Sequence, residues 1–185
     1  MNLKEIQGYQ LKILLEVKKI CEKNNIKYFL SAGTLLGAVR HKGFIPWDDD
    51  LDIGMLRSEY DKFLNIAEKE LSSEYFLQTL NTEEGYGLSF AKVRLNNTIY
   101  KEYLSRNCKI NSGIYIDIFP YDNVPDSKLL RTKQKIETYI LKRLLLMSKG
   151  YEMTWENSNK IKKYVCKIAR AFLKLIDINK LKSAF

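Results

Sequence analysis

The sequence predicts an α/β (α+β) fold: a small mixed sheet flanked by helices, with a C-terminal basic helical region. Three observations lead there. An amphipathic helical period opens the chain, short apolar runs punctuated by Gly, Asn and Pro then alternate with further helical periods, and after "YDNVPD" the composition turns strongly basic. Residues 1–125 are accordingly expected to form the working core and residues 126–185 a helical extension.

From Leu3 to Cys21, Leu3, Ile6, Leu11, Ile13, Leu14, Val17 and Ile20 recur mainly at spacings of three and four with Lys and Glu between them, the pattern of an amphipathic helix. "NN" at 24 and 25 ends it, and "IKYFLSAG" predicts a short buried strand closing on a glycine turn. "TLLGAVRHKG" predicts a short helix, with Thr34 near its start and Gly43 just past its end. A strand is expected over 49–55, then a helix over "SEYDKFLNIAEKEL" with Ser58 as N-cap, then strands over 75–79, 87–94, 98–103 and 114–119. Two basic helices, 126–150 and 158–182, complete the chain. In the second, Ile161, Tyr164, Val165, Ile168, Phe172 and Ile176 make one apolar stripe.

Composition narrows the class of protein. With 45% apolar and 29% charged residues the chain is that of a globular protein with a core of ordinary size. No apolar run approaches the roughly 20 residues of a membrane span, and "MNLKEIQGYQ" lacks the basic start and apolar middle of a secretory signal, so an intracellular protein is expected. Cys21, Cys108 and Cys166 are too scattered for a zinc site or a disulfide framework and read as packed, reduced thiols. The net charge of +9 is not spread evenly: residues 1–125 hold 16 Lys/Arg against 17 Asp/Glu, whereas residues 126–185 hold 15 against 5. A near-neutral core with a basic tail argues against a nucleic-acid-binding protein and leaves the tail free to lie on an anionic membrane or to pack on the core.

The chemistry is concentrated in "GFIPWDDDLDIGM", where Asp48, Asp49, Asp50 and Asp52 fall within five positions. On a strand Asp50 and Asp52 share a face, with Cα atoms about 6.6 to 6.8 Å apart, while Leu51 and Ile53 point to the core. Carboxylates so placed repel by several kcal/mol at an effective dielectric of roughly 20, so they call for a proton, a basic partner or a cation. Oxygen ligands without nearby His or Cys suit Mg²⁺ or Mn²⁺. Upstream, Gly33 and Thr34 sit at a strand-to-helix turn whose backbone N–H groups suit a phosphate. Downstream, "GIYIDIFPYD" puts Asp117 in the middle of an apolar strand, where a lone charge would be costly. Asp50, Asp52 and Asp117 on two strands beside a glycine turn make a coherent phosphoryl-transfer site.

Arg40, His41 and Lys42 fall at the end of the short helix. They either hold phosphates or complement the helix C-terminus. Lys92 and Arg94 in "FAKVR" alternate with apolar residues; they either reach donor phosphates or decorate an exposed strand face.

"YFLSAGTLLGAVRHKGFIPWDDDLDIGM", followed by "FAKVRLNNT" and "GIYIDIFPYDNVP", resembles the LicD family, phosphorylcholine transferases related to fukutin-type phosphosugar transferases within the nucleotidyltransferase-fold superfamily. The resemblance covers residues 1–125. It implies a nucleotidyltransferase-like core and transfer of phosphocholine, or a related phospho-group, from a CDP-activated donor such as CDP-choline to a hydroxyl of a cell-surface glycan, a lipopolysaccharide or teichoic acid precursor. It further implies that Gly33 and Thr34 match the family's glycine turn, Asp50 and Asp52 its metal pair and Asp117 its third carboxylate. Asp48 would be an outer ligand and Asp49 structural. Trp47, like Tyr115 and Tyr121, would stack on cytosine, face a trimethylammonium group, or pack as lid or core. The acceptor, if lipid-linked, would be met by a cytoplasmic protein lying peripherally on the inner face of the membrane. Family members continue beyond the basic helices, so the chain is expected to be a short variant or truncated. Two alternatives stay open: nucleotidyl transfer to a small acceptor, and a non-catalytic basic membrane- or RNA-binding module.

Overall fold

The computed structural model describes residues 1–152, and the helix expected over 158–182 lies outside them. The described elements are α1 (Leu3–Lys23), β1 (Phe29–Leu30), α2 (Ala32–His41), β2 (Asp52–Leu56), α3 (Arg57–Glu70), β3 (Tyr75–Gln78), β4 (Ala91–Leu95), β5 (Tyr115–Tyr121) and α4 (Lys128–Ser148). They form the small mixed α/β arrangement that the sequence predicts. The sheet runs β1-β2-β5-β4-β3. β2 and β5 are parallel, and the other pairings are antiparallel.

The chain divides into two compact units. The first comprises Met1–Thr79, Phe90–Tyr100 and Asn111–Asp122, and so contains α1 to α3 and the whole sheet. One sheet face is apolar: Ile53, Met55, Leu77, Val93, Ile116 and Ile118 join Ile13, Val17 and Ile20 of α1 and Phe63 and Ala67 of α3 in a single core. Full burial of such side chains stabilises by about 1.5–3 kcal/mol each, which makes this face the foundation of the unit. Because side chains alternate along strands, the same registers put Asp52, Lys92, Arg94 and Asp117 on the opposite face.

Local signals explain most boundaries. Asn2 and Glu5 close a reciprocal capping box at the start of α1, with bonds of 3.0 and 2.9 Å. α2 ends with Lys42 in the left-handed region at φ 58°, so the lysine rather than Gly43 makes the turn. Expected Ser58 capping gives way to a direct strand-to-helix passage, with Leu56 at the N-cap and no side-chain cap bond. There Arg57 grips Asp122 with bonds of 2.6 and 2.8 Å, tying the start of α3 to the end of β5. β2 begins at Asp52 instead of residue 49, and β4 at Ala91 instead of 87. The strand expected over 98–103 is absent: β4 turns off its ladder at Asn97, φ 61°, and Thr98 then accepts the Ile114 N–H and donates to the Leu95 carbonyl.

The second unit comprises Leu80–Ser89, Lys101–Ile110 and the chain from Asn123, with α4 as its long element. Tyr86, Leu145 and Tyr151 are buried in it, and the Tyr151 hydroxyl accepts the Gly87 N–H at 3.1 Å.

Candidate active site

The acidic segment is fastened to α1 from below. Gln7 Nε2 donates to the Asp48 carbonyl at 2.8 Å, and Gln10 Nε2 to the Asp49 carbonyl at 2.6 Å. Gln10 is fully buried and stands between Ile6 and Ile13 in the apolar stripe of α1; a polar residue at a core position was the signal by which sequence could have found this anchor. Tyr100 donates its hydroxyl to Asp49 Oδ2, a second fixed point that sequence reasoning missed.

From this anchored loop the chain enters β2 at Asp52. Its N–H donates to Thr34 Oγ1 at 2.8 Å, and its carbonyl accepts from Ser31 N at 3.0 Å. Thr34 therefore works through its side chain within the first turn of α2, and the turn itself is made by Ser31 and Ala32, the latter at φ 45°. Gly33 serves by lacking a side chain: a Cβ there would sit 2.6 Å from Asp48 Oδ2. The Asp48 carboxylate thus lies against the N-terminal turn of α2, where the helix dipole favours negative charge.

Across the sheet, Asp52 and Asp117 are Cα partners in the parallel ladder, Asp117 and Lys92 in the next, and Lys92 and Gln78 in the last. A polar row Asp52–Asp117–Lys92–Gln78 therefore crosses four strands. Lys92 Nζ is 2.8 Å from Asp117 Oδ1, with only 1% of the lysine side chain and 13% of the aspartate exposed. The same ammonium lies 3.5 Å from the Tyr115 ring centroid. Arg94, as deeply buried, donates through Nε to Gln78 at 2.5 Å and through Nη1 to the Gly113 carbonyl at 2.7 Å.

Electrostatics single out Asp52. Burial pushes its carboxyl up to about 6, Asp50 and Asp48 push in the same direction by repulsion, and Lys92 opposes them. One carboxylate oxygen each from Asp48, Asp49 and Asp50 falls within 4.8 Å of the others. This donor set is all oxygen, negatively charged and partly open, the chemistry that suits a hard divalent cation. Asp50, expected on the strand with Asp52, instead lies in the irregular segment before β2 as a member of the Asp48–Asp50 cluster. Tyr115 donates toward Asp50 Oδ1 at 3.5 Å.

The remaining expected residues stand apart. Arg40, His41 and Lys42 are exposed at the C-terminus of α2, and among the described residues no hydrogen bond or ion pair links them to the aspartates. Trp47 is 77% exposed, with its ring edge-on to His41 at 6.2 Å.

The family model for the LicD/FKTN/FKRP nucleotidyltransferase domain matches residues 25–141, a span that holds every strand of the described residues and the entire carboxylate row. The chain belongs to the LicD family. Among LicD-family relatives, the lipopolysaccharide cholinephosphotransferase LicD of Haemophilus influenzae is 39% identical over 127 residues, 68% of this chain and 46% of that protein. The ribitol 5-phosphate transferase FKRP of Mus musculus is 26% identical over 102 residues, 55% of this chain and 18% of that protein. Mannosyltransferase regulator 4 of Saccharomyces cerevisiae is 31% identical over 124 residues, 60% and 10% of the two chains. The chain thus spans less than half the length of these relatives.

Proposed function

We propose that this LicD-family chain transfers phosphocholine, or a related phospho-group, from a CDP-activated donor to a hydroxyl of a cell-surface glycan such as a lipopolysaccharide or teichoic acid precursor. The single observation that carries this reading is the row Asp52–Asp117–Lys92 beside the Asp48–Asp50 cluster: negative charge concentrated near the N-terminal turn of α2, with the Lys92 ammonium paired to Asp117. The cholinephosphotransferase among the relatives supports the choline group, and the ribitol transferase supports the wider class.

Asp50, Asp52 and Asp117, with Asp48 alongside, would hold Mg²⁺ or Mn²⁺. Bound there, such an ion offsets the charge of the donor's pyrophosphate and of the departing cytidine monophosphate. The acceptor hydroxyl attacks the phosphorus that bears choline, and its bond to the cytidylate oxygen breaks. Asp117, paired with Lys92, either joins in holding the ion or takes the proton of that hydroxyl. Thr34, through its bond to the Asp52 N–H, fixes the backbone where the chain enters β2. In this reading residues 1–125 are the catalytic core and 126–185 a basic extension that meets an anionic membrane from the cytoplasmic side.

A thermal-shift panel of CDP-choline, CDP-ribitol, CDP-glycerol and CTP, each with and without Mg²⁺, tests the reading, since a ligand of the native state raises its apparent stability. A CDP-linked donor should stabilise more than CTP, and only with the ion present. Turnover of that donor should vanish in Asp50→Asn and Asp52→Asn; full activity in either variant overturns the mechanism, and a nucleotide-bearing product makes the protein a nucleotidyltransferase.

A further inference from the structure

One pleat beyond the carboxylates, the open face of the sheet changes from polar to aromatic. Gly54 follows Asp52 by two residues and Phe119 follows Asp117 by two, and the pair are Cα partners. Phe29 of β1 is the partner of Gly54 on its other side. The Phe119 ring packs on Phe90 at 4.4 Å between centroids, and the Phe29 ring meets Tyr121 edge-on at 5.0 Å. Gly54 is required here: a Cβ would lie 2.5 Å from the Phe29 ring and 2.6 Å from that of Tyr121. The two rings therefore close over a bare backbone, and a bond of 2.7 Å between the Tyr121 hydroxyl and Ser31 Oγ fixes one of them.

These rings are not core. The core lies on the other sheet face, whereas Phe29 is 41% and Tyr121 44% exposed. They offer ring faces and edges, and the hydroxyls of Tyr121 and Ser31 are engaged with each other. Asp52 precedes Gly54 by two residues on the same face of β2, and Asp117 precedes Phe119 likewise on β5. An aromatic shelf next to fixed negative charge fits a cation that has an apolar surface and makes no hydrogen bonds, which describes a quaternary ammonium. A polyol gains no comparable attraction from the ring faces.

We propose that Phe29 and Tyr121 cradle the trimethylammonium group of the donor while the adjacent carboxylate row attends to its phosphates, and so set the enzyme's preference for choline over polyol donors. The spacing agrees: the two rows are one pleat, about 6.6 to 6.8 Å, apart, and phosphocholine separates phosphate from cation by a two-carbon bridge. This proposal rests on the phosphotransfer reading above.

Isothermal titration in Mg²⁺ with CDP, CDP-choline and the uncharged analogue of CDP-choline, in which carbon replaces the quaternary nitrogen, separates the two. The wild type should bind CDP-choline about 2- to 30-fold more tightly than the analogue. Phe29→Leu and Tyr121→Leu should erase that preference while leaving CDP affinity within about twofold, and Tyr121→Phe, which keeps the ring, should retain it. Equal binding of CDP-choline and its analogue, both tighter than CDP, overturns the aromatic cradle alone, as does an undiminished preference in folded Phe29→Leu. CDP-choline binding no tighter than CDP overturns the phosphocholine reading together with it.

Discussion

Asp52 carries the largest consequence of any single side chain in the site. Its folded value near 6 lies above the ordinary carboxylate value of 3.8. Between these two values the folded state binds more protons than the unfolded one, so the stability contributed by the protonated group is complete below pH 3.8 and is lost as pH rises through 6. With chelator present, Asp52→Asn should therefore be more stable than the wild type at pH 7.5, by about 1 kcal/mol after allowance for its partial exposure, and the gap should close near pH 4. Chemical denaturation at the two pH values checks this. Mg²⁺ should then stabilise the wild type and leave Asp52→Asn unmoved. Gly33 yields a second expectation: Gly33→Ala should displace the Asp48 carboxylate, 2.6 Å from the added methyl, and weaken Mn²⁺ binding several-fold in a titration, with the circular dichroism spectrum unchanged. The dense aspartates were legible in sequence as a charge in need of a partner. That Gly33 serves a carboxylate rather than a turn was not, because only folding brings residue 33 against residue 48.

At the level of elements, β4 and β5 are joined by more than their backbone ladder. Lys92 and Asp117 form a nearly dry ion pair, and removing one partner of such a pair costs about 3–5 kcal/mol because the other charge is left without compensation. Lys92→Met should lose stability in that range in urea unfolding. The double variant Lys92→Met/Asp117→Leu should lose clearly less, so a double-mutant cycle would show strong coupling. The alternation of "FAKVR" set Lys92 and Arg94 apart from their apolar neighbours, and "GIYIDIFPYD" put Asp117 where a lone charge would be costly; the exposed strand face offered as one reading of Lys92 and Arg94 gives way to burial of both. Their pairing was out of reach, since sequence alternation fixes a face without fixing which strand lies beside it. The segment 98–103 shows the converse error. It has the β-branched and aromatic content of a strand, yet Asn97 at φ 61° diverts it and Thr98 satisfies the backbone groups that a ladder would have used.

For the molecule as a whole, the charge asymmetry remains the main observable. α4 has Lys128, Arg131, Lys133, Lys135, Lys142 and Arg143 against Glu137, and leaves Leu129, Ile136, Tyr139 and Ile140 exposed among them. No helix among the described residues is long and apolar enough to cross a membrane. If the basic extension meets an anionic bilayer as proposed, the protein should sediment with vesicles containing about one-third phosphatidylglycerol and not with pure phosphatidylcholine, and the bound fraction should fall as salt rises from about 0.1 to 0.5 M. Sedimentation indifferent to anionic lipid would remove the membrane from the account.

The sequence by itself determined the amphipathic periods, the buried apolar face and the presence of an acidic segment, because each follows from neighbours a few residues apart on a helix or strand. Only tertiary structure decided that Asp52, Asp117 and Lys92 stand in one row, that Gln10 anchors the acidic loop and that Phe29 and Tyr121 close over Gly54. Those are contacts between residues tens of positions apart, and strand order, which creates them, is set by packing of the whole core rather than by any local signal.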